Sequence, residues 1–382
     1  MQTAGCLNAL KSIGEKAARD ATWNNEKSDK NFEYIVERRL FDEALLLDAK
    51  ENGIKVIKGT GKIVDITQSR VKIKTKDEVD LFLEALFIVD ARGRLAPRNV
   101  KRKSKDTISF LVKYKKANSS SKTSLSTSAH GWIWRASFAD DNNYLQLTSN
   151  PKEGEEFFFE IMNEDEKEII DKNVKIVKRE STSYCSKLII KDNYIKIGDA
   201  ACAVDPLSGN GVFQALGTAL ISPYVIHTLL NADLADKKAA KIFFENRVED
   251  IFYRFARMGR EFYALEKEFK SNFWKQRASW PDLKSYDNSE TKIKVSIEKK
   301  AILIAPFIKA HDVVVTNDSP MGIWRLGRIN LVYVVKKLLD ESFENRLLIL
   351  ENLFNELELI KEEKEHLLSW CLKYELITIN QE

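Results

Sequence analysis

The stretch IKIGDAACAVDPLSGNGVFQAL, residues 195–216, joins a short strand, a Gly-Asp pair and a glycine-bracketed helix start with no residues to spare. Ile195 and Ile197 alternate with Lys196 as in a half-buried strand, and Gly198-Asp199 ends it where the chain must turn closely past another group. A carboxylate only accepts hydrogen bonds, so Asp199 at the strand tip suits a ligand rich in hydroxyl or amide donors. Pro206 sets the direction of the chain before the next helix. Ser208, Gly209, Asn210 and Gly211 are small enough to let backbone N–H groups at a helix N-terminus approach an electron-rich ligand edge. Without its surroundings, Gly209-Asn210-Gly211 is also what any loop entering a buried helix looks like.

Composition fits an enzyme built around a large core. The chain has 382 residues, 44% hydrophobic and 31% charged, enough for two packed domains and an appendage. Its 61 basic and 57 acidic residues are spread along the chain, so a net charge of +4 gives neither a nucleic-acid nor a membrane-surface footprint. Cys6, Cys185, Cys202 and Cys371 have no C-x-x-C spacing, and no basic-then-apolar leader opens the sequence, so reduced thiols and a cytoplasmic location are expected. No membrane span is expected. His130, His227, His311 and His366 lie far apart, which argues against a metal centre.

Upstream of the opening stretch there is no G-x-G-x-x-G, the glycine turn that holds a dinucleotide pyrophosphate on a helix dipole. Leu7, Leu10, Ile13 and Ala17 predict a helix instead. Phe41, Leu45, Leu46 and Ala49 predict another, stopped by Gly53 and followed by a short strand at Val56-Ile57. Strands are expected over 61–67 and 71–75, and the apolar run Leu86-Phe87-Ile88-Val89 suits a parallel central strand ending in Asp90-Ala91-Arg92-Gly93-Arg94. From 107 to 150, segments such as ISFLVKY, HGWIWRASF and NNYLQLTS read as antiparallel strands. Trp132 and Trp134 then share one face and Ile133 the other, making the indoles either sheet core or a pocket wall. His130 is a candidate pocket base or a solvated histidine. Phe244, Val248, Ile251, Phe255 and Met258 predict a long amphipathic helix, and residues 328–382 read as three further helices with Leu350, Leu353, Leu357 and Ile360 on one face.

The pattern G-D-A-A-x-x-x-x-P-x-x-G-x-G over 198–211 resembles the third flavin-binding fingerprint of the aromatic hydroxylases and tryptophan halogenases. That resemblance implies contacts to FAD from Asp199, Ala200, Pro206, Gly209, Asn210, Gly211 and Val212. Arg38-x-x-Phe41-Asp42 and Asp90-Ala91-x-Gly93-Arg94 resemble further cofactor-side motifs of these families, which implies roles for Arg38, Asp90, Ala91 and Gly93. Gly131-Trp132-Ile133-Trp134 resembles their tryptophan-bearing strand, which makes Trp132 and Trp134 candidate substrate contacts. Halogenases continue W-x-W-x-I-P, whereas this chain continues Arg135-Ala136-Ser137. Segments 254–263, 273–282 and 318–325 resemble the flavin monooxygenases that mature tryptophylquinone cofactors, as in quinohemoprotein amine dehydrogenase. This likeness covers about residues 4–327.

The resemblance implies an α/β (α+β) fold: a Rossmann-like FAD-binding domain, N-terminally incomplete, from 1–105 and 185–235, an antiparallel substrate-domain sheet at 106–184, a helical and strand covering region at 236–327 and a helical appendage at 328–382. Two origins of the missing glycine turn stay open, an internal start at Met1 or a relative without the ADP-binding half of the site. The implied reaction is FAD-dependent hydroxylation of an aromatic ring with O2 and NAD(P)H, on a tryptophan within another polypeptide. Indole is electron-rich enough to need no dedicated base. Alternatives are a hydroxylase or halogenase of a free small aromatic, and a noncatalytic peptide-binding relative.

Overall fold

The computed structural model describes residues 15–21, 32–118, 120–171, 174–283 and 295–378, with side chains from residue 35 onward. Its largest sheet has seven strands. In spatial order these are Val177–Glu180, Ile108–Lys115, Asn142–Ser149, Gly131–Ser137, Lys122–Ser128, Glu15–Ala21 and Phe32–Ile35. All neighbours are antiparallel except Glu15–Ala21, which runs parallel to Lys122–Ser128. Ala17 therefore lies in a strand and not in the helix expected from Leu7, Leu10 and Ile13, which fall outside the described residues. Ile108–Lys115, Gly131–Ser137 and Asn142–Ser149 are the strands expected from alternation; the other four were not expected, and the KTSLSTS of Lys122–Ser128 lacks an apolar face.

Alternation sorts the two faces of the sheet. Ile133 packs with Phe110, Val112, Leu145, Leu147 and Phe158 beneath the helix Pro151–Phe157. Gly154 makes that approach possible, since a Cβ there would stand 2.2 Å from the Phe110 ring. Trp132 and Trp134 point to the opposite face, as expected.

A smaller mixed three-stranded sheet carries the opening stretch. Ile88–Asp90 pairs parallel with Tyr194–Lys196, which turns back on Ile190–Lys191. Two expectations fail here. Leu86 lies before the strand and is exposed, so only the end of the apolar run is strand, and it lies at one end of the three-stranded order. Lys196 is buried between its neighbours, with Nζ donating to the Pro97 carbonyl at 2.6 Å, and burial holds its pKa below the usual lysine range. Nearby, Val56-Ile57 forms no strand, and the strand after Gly53 begins at Gly59.

Two helices lie over this unit. Gly211–Asn231 buries Gln214, Thr218, Ser222 and Thr228, with Gln214, Thr218 and Thr228 bonded to the Gly198 turn and to Ile308, while Val212, Phe213 and Leu220 face outward. It is 21 residues long and carries no charge, so length and composition alone would let it cross a membrane, contrary to the reading of the sequence. Leu234–Leu265 is the expected long helix, burying Phe244, Val248, Phe252 and Phe255. The C-terminal helices Leu331–Leu339, Arg346–Glu356 and Lys361–Lys373 share a core of Val335, Leu338, Leu350, Leu353 and Leu367, while Ile360 is exposed.

Candidate active site

The Gly198 turn and the Pro206 turn together line a run of three cavities. Gly198 adopts φ +57°, a left-handed conformation that an L side chain would strain, while a Cβ there would meet Ala215 only at ordinary contact distance, 3.4 Å. Its N–H donates to Thr218 Oγ1 at 2.8 Å, and its carbonyl accepts from Gln214 at 3.2 Å, so the turn is clamped to the following helix. This holds Asp199 at the edge of a cavity of about 450 Å³ whose other lining residues include Arg38, Ala91, Gly93, Gly211 and Val212. The Asp199 carboxylate is half-buried and faces Arg94 at 3.3 Å. Burial raises its pKa, and Arg94 and Arg38 oppose that shift. Behind it, the Tyr184 hydroxyl donates to the Asp199 carbonyl at 2.5 Å, with the tyrosine pKa pushed up to about 12 by burial.

The helix start at Gly211 is open. Asn210 makes no side-chain cap and no acidic residue stands in the first turn, so the first backbone N–H groups and the positive end of the helix dipole are available to a ligand in that cavity. Gly209 at φ +68° has no atom within 4 Å of a hypothetical Cβ; it is required by backbone conformation alone.

Around Pro206 the surroundings change. Asp205 is buried and caps the turn Pro206–Ser208 by accepting the Leu207 N–H at 2.9 Å. It also accepts from the Tyr263 hydroxyl at 3.1 Å, and Tyr263 in turn accepts the indole N–H of Trp132 at 3.2 Å. Burial raises the pKa of Asp205, opposed by its Leu207 N–H bond and by the charge of Arg277. This chain of bonds ties the turn to the large sheet across a cavity of about 330 Å³ walled by Leu125, Trp132, Trp134, Pro206 and Leu207. Beyond Pro206 and Gln146 a further cavity of about 470 Å³ carries Arg94, Arg98 and Arg179.

The expected site residues divide accordingly. Arg38, Ala91, Gly93, Asp199, Gly211 and Val212 share one cavity, and Trp132, Trp134, Pro206 and Gly209 share the next. Asp90, Ala200 and Asn210 support these walls from behind or beside them. Asp90 is buried, bonded to Arg92 at 2.7 Å and to the Tyr194 hydroxyl at 2.8 Å, and its pKa is lowered although burial alone would raise it. Ala200 is buried and accepts from Ser186, and the Asn210 side chain bonds back to Ser208. His130 stacks on Phe157 with ring centroids 3.7 Å apart. Arg135, at the departure from the halogenase pattern, turns to the opposite face and pairs with Glu166 at 2.7 Å. Asp205 and Tyr263 were missed by the sequence reading; the acidic residue just before Pro206 was the available signal.

A family model described as tryptophan halogenase matches residues 2–313. The chain belongs to the tryptophan halogenase family. Within it, the chain is similar to a tryptophan 2-halogenase of Chondromyces crocatus, 22% identical over 311 residues covering 71% of this chain and 58% of that protein. It is also similar to a pyrrole-2-carbonyl peptidyl-carrier-protein chlorinase of Pseudomonas fluorescens, 27% identical over 244 residues, 55% of this chain and 54% of that one. The chain thus spans a little over half the length of these curated relatives. Among solved structures, the peptidyl tryptophan dihydroxylase QhpG, essential for tryptophylquinone cofactor biogenesis, superposes with a TM-score of 0.79 at 30% identity, covering 96% of this chain and 86% of that one. The flavin-dependent halogenase CmlS superposes with a TM-score of 0.62 at 15% identity over 88% of this chain and 78% of its own, which shows a shared fold.

Proposed function

We propose that this family member binds FAD along the Gly198 and Gly211 turns and hydroxylates the ring of a tryptophan held within another polypeptide, with O2 and NAD(P)H as co-substrates. The observation that carries this reading is the juxtaposition at Pro206: a donor-seeking carboxylate and an uncapped helix start on one side, and an apolar cavity walled by two indoles on the other. The residues present suit a flavin. Asp199 would accept from hydroxyls of the ribityl chain, the first N–H groups of the Gly211 helix would face the electron-rich edge of the ring, and Arg38 and Arg94 would balance negative charge. Bound FAD supplies the activation of oxygen. The protein's own part is to hold the indole beside the Pro206 turn, keep water away with Leu125, Trp132, Trp134 and Leu207, and fix that wall through Asp205 and Tyr263.

Two facts favour hydroxylation over halogenation. The 30%-identical structural relative is a peptidyl tryptophan dihydroxylase. The strand after Trp134 departs from the halogenase pattern, with Arg135 committed to Glu166. The reading is tested by measuring oxygen consumption by the FAD-loaded protein with NADH. Uptake should rise on adding a tryptophan-containing polypeptide and not on adding the same polypeptide with tryptophan replaced by alanine; equal uptake with both would remove the reading.

A further inference from the structure

The 470 Å³ cavity beyond Pro206 has more positive charge than its own acids balance. Among the described residues that line it, Arg94, Arg98 and Arg179 bring three guanidinium groups against the single carboxylate of Glu180. Arg98 holds Glu180 by two bonds at 2.8 and 2.7 Å, which with the charges of Arg94 and Lys103 keep that carboxyl below the usual carboxylate range. Arg94 is divided between the Thr182 carbonyl at 2.6 Å and Asp199 at 3.3 Å. Arg179 is exposed and makes no ion pair among the described residues. Strand register places it over the tryptophan face. Arg179 stands opposite Ser109, Ser109 opposite Thr148 and Thr148 opposite Trp132. Lys178 lies over the Phe110 ring on the face of Ile133, so Arg179 shares the other face with Trp132 and Trp134. Three strand spacings of about 4.8 Å set Arg179 about 14 Å from Trp132 across the sheet. The floor between them is neutral, with Ser109 bonded to Thr148 and to Ser181. Pro206 and Gln146 line both this cavity and the one walled by the indoles, so the two adjoin.

We propose that this cavity takes the carboxylate of an aspartate or glutamate that neighbours the target tryptophan in the polypeptide, paired with Arg179 and drawn in by the charges of Arg94 and Arg98. The proposal rests on the reading of the 330 Å³ cavity as the tryptophan site and adds the sequence context in which that tryptophan is recognised. An extended chain advances about 3.3 Å per residue, so a span of about 14 Å corresponds to an acid within about four residues of the tryptophan. A guanidinium fork matches a carboxylate in two-pronged geometry, whereas a halide ion would leave most of a 470 Å³ cavity unfilled.

The test uses nonapeptides of glycine and serine with tryptophan at the centre, acetylated and amidated so that their ends carry no charge. One aspartate is placed in turn at each other position, and every peptide is compared with its asparagine twin by calorimetric titration into the full chain in excess FAD, unmodified and as R179Q. At least one aspartate peptide should bind the unmodified protein about tenfold more tightly than its twin, the effect of one charge-assisted pair. Added salt should erode that preference, because an open site is screened. R179Q should reduce it to about twofold, the share left to Arg94 and Arg98, with the asparagine peptides and FAD bound as before. Equal affinity of the twins at every position, or a preference that R179Q leaves intact, overturns the carboxylate site and leaves the tryptophan pocket standing. Loss of FAD binding in R179Q assigns the cavity to the cofactor and overturns the site as well. Peptides that bind no better than a control with alanine in place of tryptophan overturn the pocket reading and the inference with it. The comparison of twins needs no variant, so an R179Q protein that fails to fold does not stop the test.

Discussion

Removing one oxygen atom, in Tyr263→Phe, cuts the link between the Pro206 turn and the large sheet. The phenylalanine ring keeps the edge-on contacts of Tyr263 with Phe273 and Trp274, at centroid distances of 5.8 and 5.7 Å, so no cavity opens. Two bonds are lost. Asp205 keeps the Leu207 N–H at 2.9 Å but loses the hydroxyl at 3.1 Å, a bond to a charged acceptor contributing about 1.5–3 kcal/mol. The Trp132 indole N–H, buried with its residue at 4% exposure, is left without an acceptor, which costs about 1 kcal/mol more. We expect a loss of about 3 kcal/mol at neutral pH.

The loss depends on pH with a definite sign. Burial raises the folded pKa of Asp205, so ionising it costs stability as pH rises through that pKa, and the Tyr263 hydroxyl reduces the cost by favouring the charged form. The difference between the two proteins therefore grows as pH rises through the folded pKa of Asp205 and shrinks below it. Urea denaturation followed by circular dichroism, in a cycle with Asp205→Asn, isolates the pair. A coupling of about 1.5–3 kcal/mol at neutral pH is expected. A coupling below about 0.5 kcal/mol, or one that is the same at every pH, refutes the bond.

Asp199→Ala should weaken FAD binding by about tenfold or more in a flavin-fluorescence titration, because a charge-assisted acceptor is lost; unchanged affinity would place the flavin elsewhere. Gly154→Ala puts a methyl group 2.2 Å from the buried Phe110 ring and should destabilise by about 3 kcal/mol in thermal unfolding, whereas a neutral outcome would mean that the sheet and the Pro151–Phe157 helix are not packed as described. Gly209→Ala meets no atom and should cost only the left-handed backbone term, about 1 kcal/mol, so a much larger loss would point to packing around the turn.

The parts of this molecule that were legible in the sequence are local. Gly198, Pro206 and Gly209 each dictate their own backbone, so the strand-turn-helix of the flavin motif could be read from adjacent residues, and Trp132 and Trp134 sort to one face by alternation. The hidden parts depend on distant partners. Tyr263 meets Asp205 across 58 residues and Trp132 across 131, which no periodicity encodes. Lys196 reads as a solvent-facing residue and is buried because Pro97 supplies an acceptor from 99 residues away. The Gly211–Asn231 helix misleads in the opposite sense, because Gln214, Thr218 and Thr228 face inward to turns and strands that only the fold brings to them.

The central claim is that the Pro206 turn brings flavin-activated oxygen to a peptidyl tryptophan. It is tested most directly by mass spectrometry of a tryptophan-containing polypeptide incubated with the protein, FAD, NADH and isotopically heavy oxygen in a buffer containing chloride and bromide. The account predicts a product that gains one or two heavy oxygen atoms on the tryptophan ring and no halogen. A chlorinated or brominated ring, or an unmodified polypeptide from a protein that demonstrably holds FAD, would contradict it.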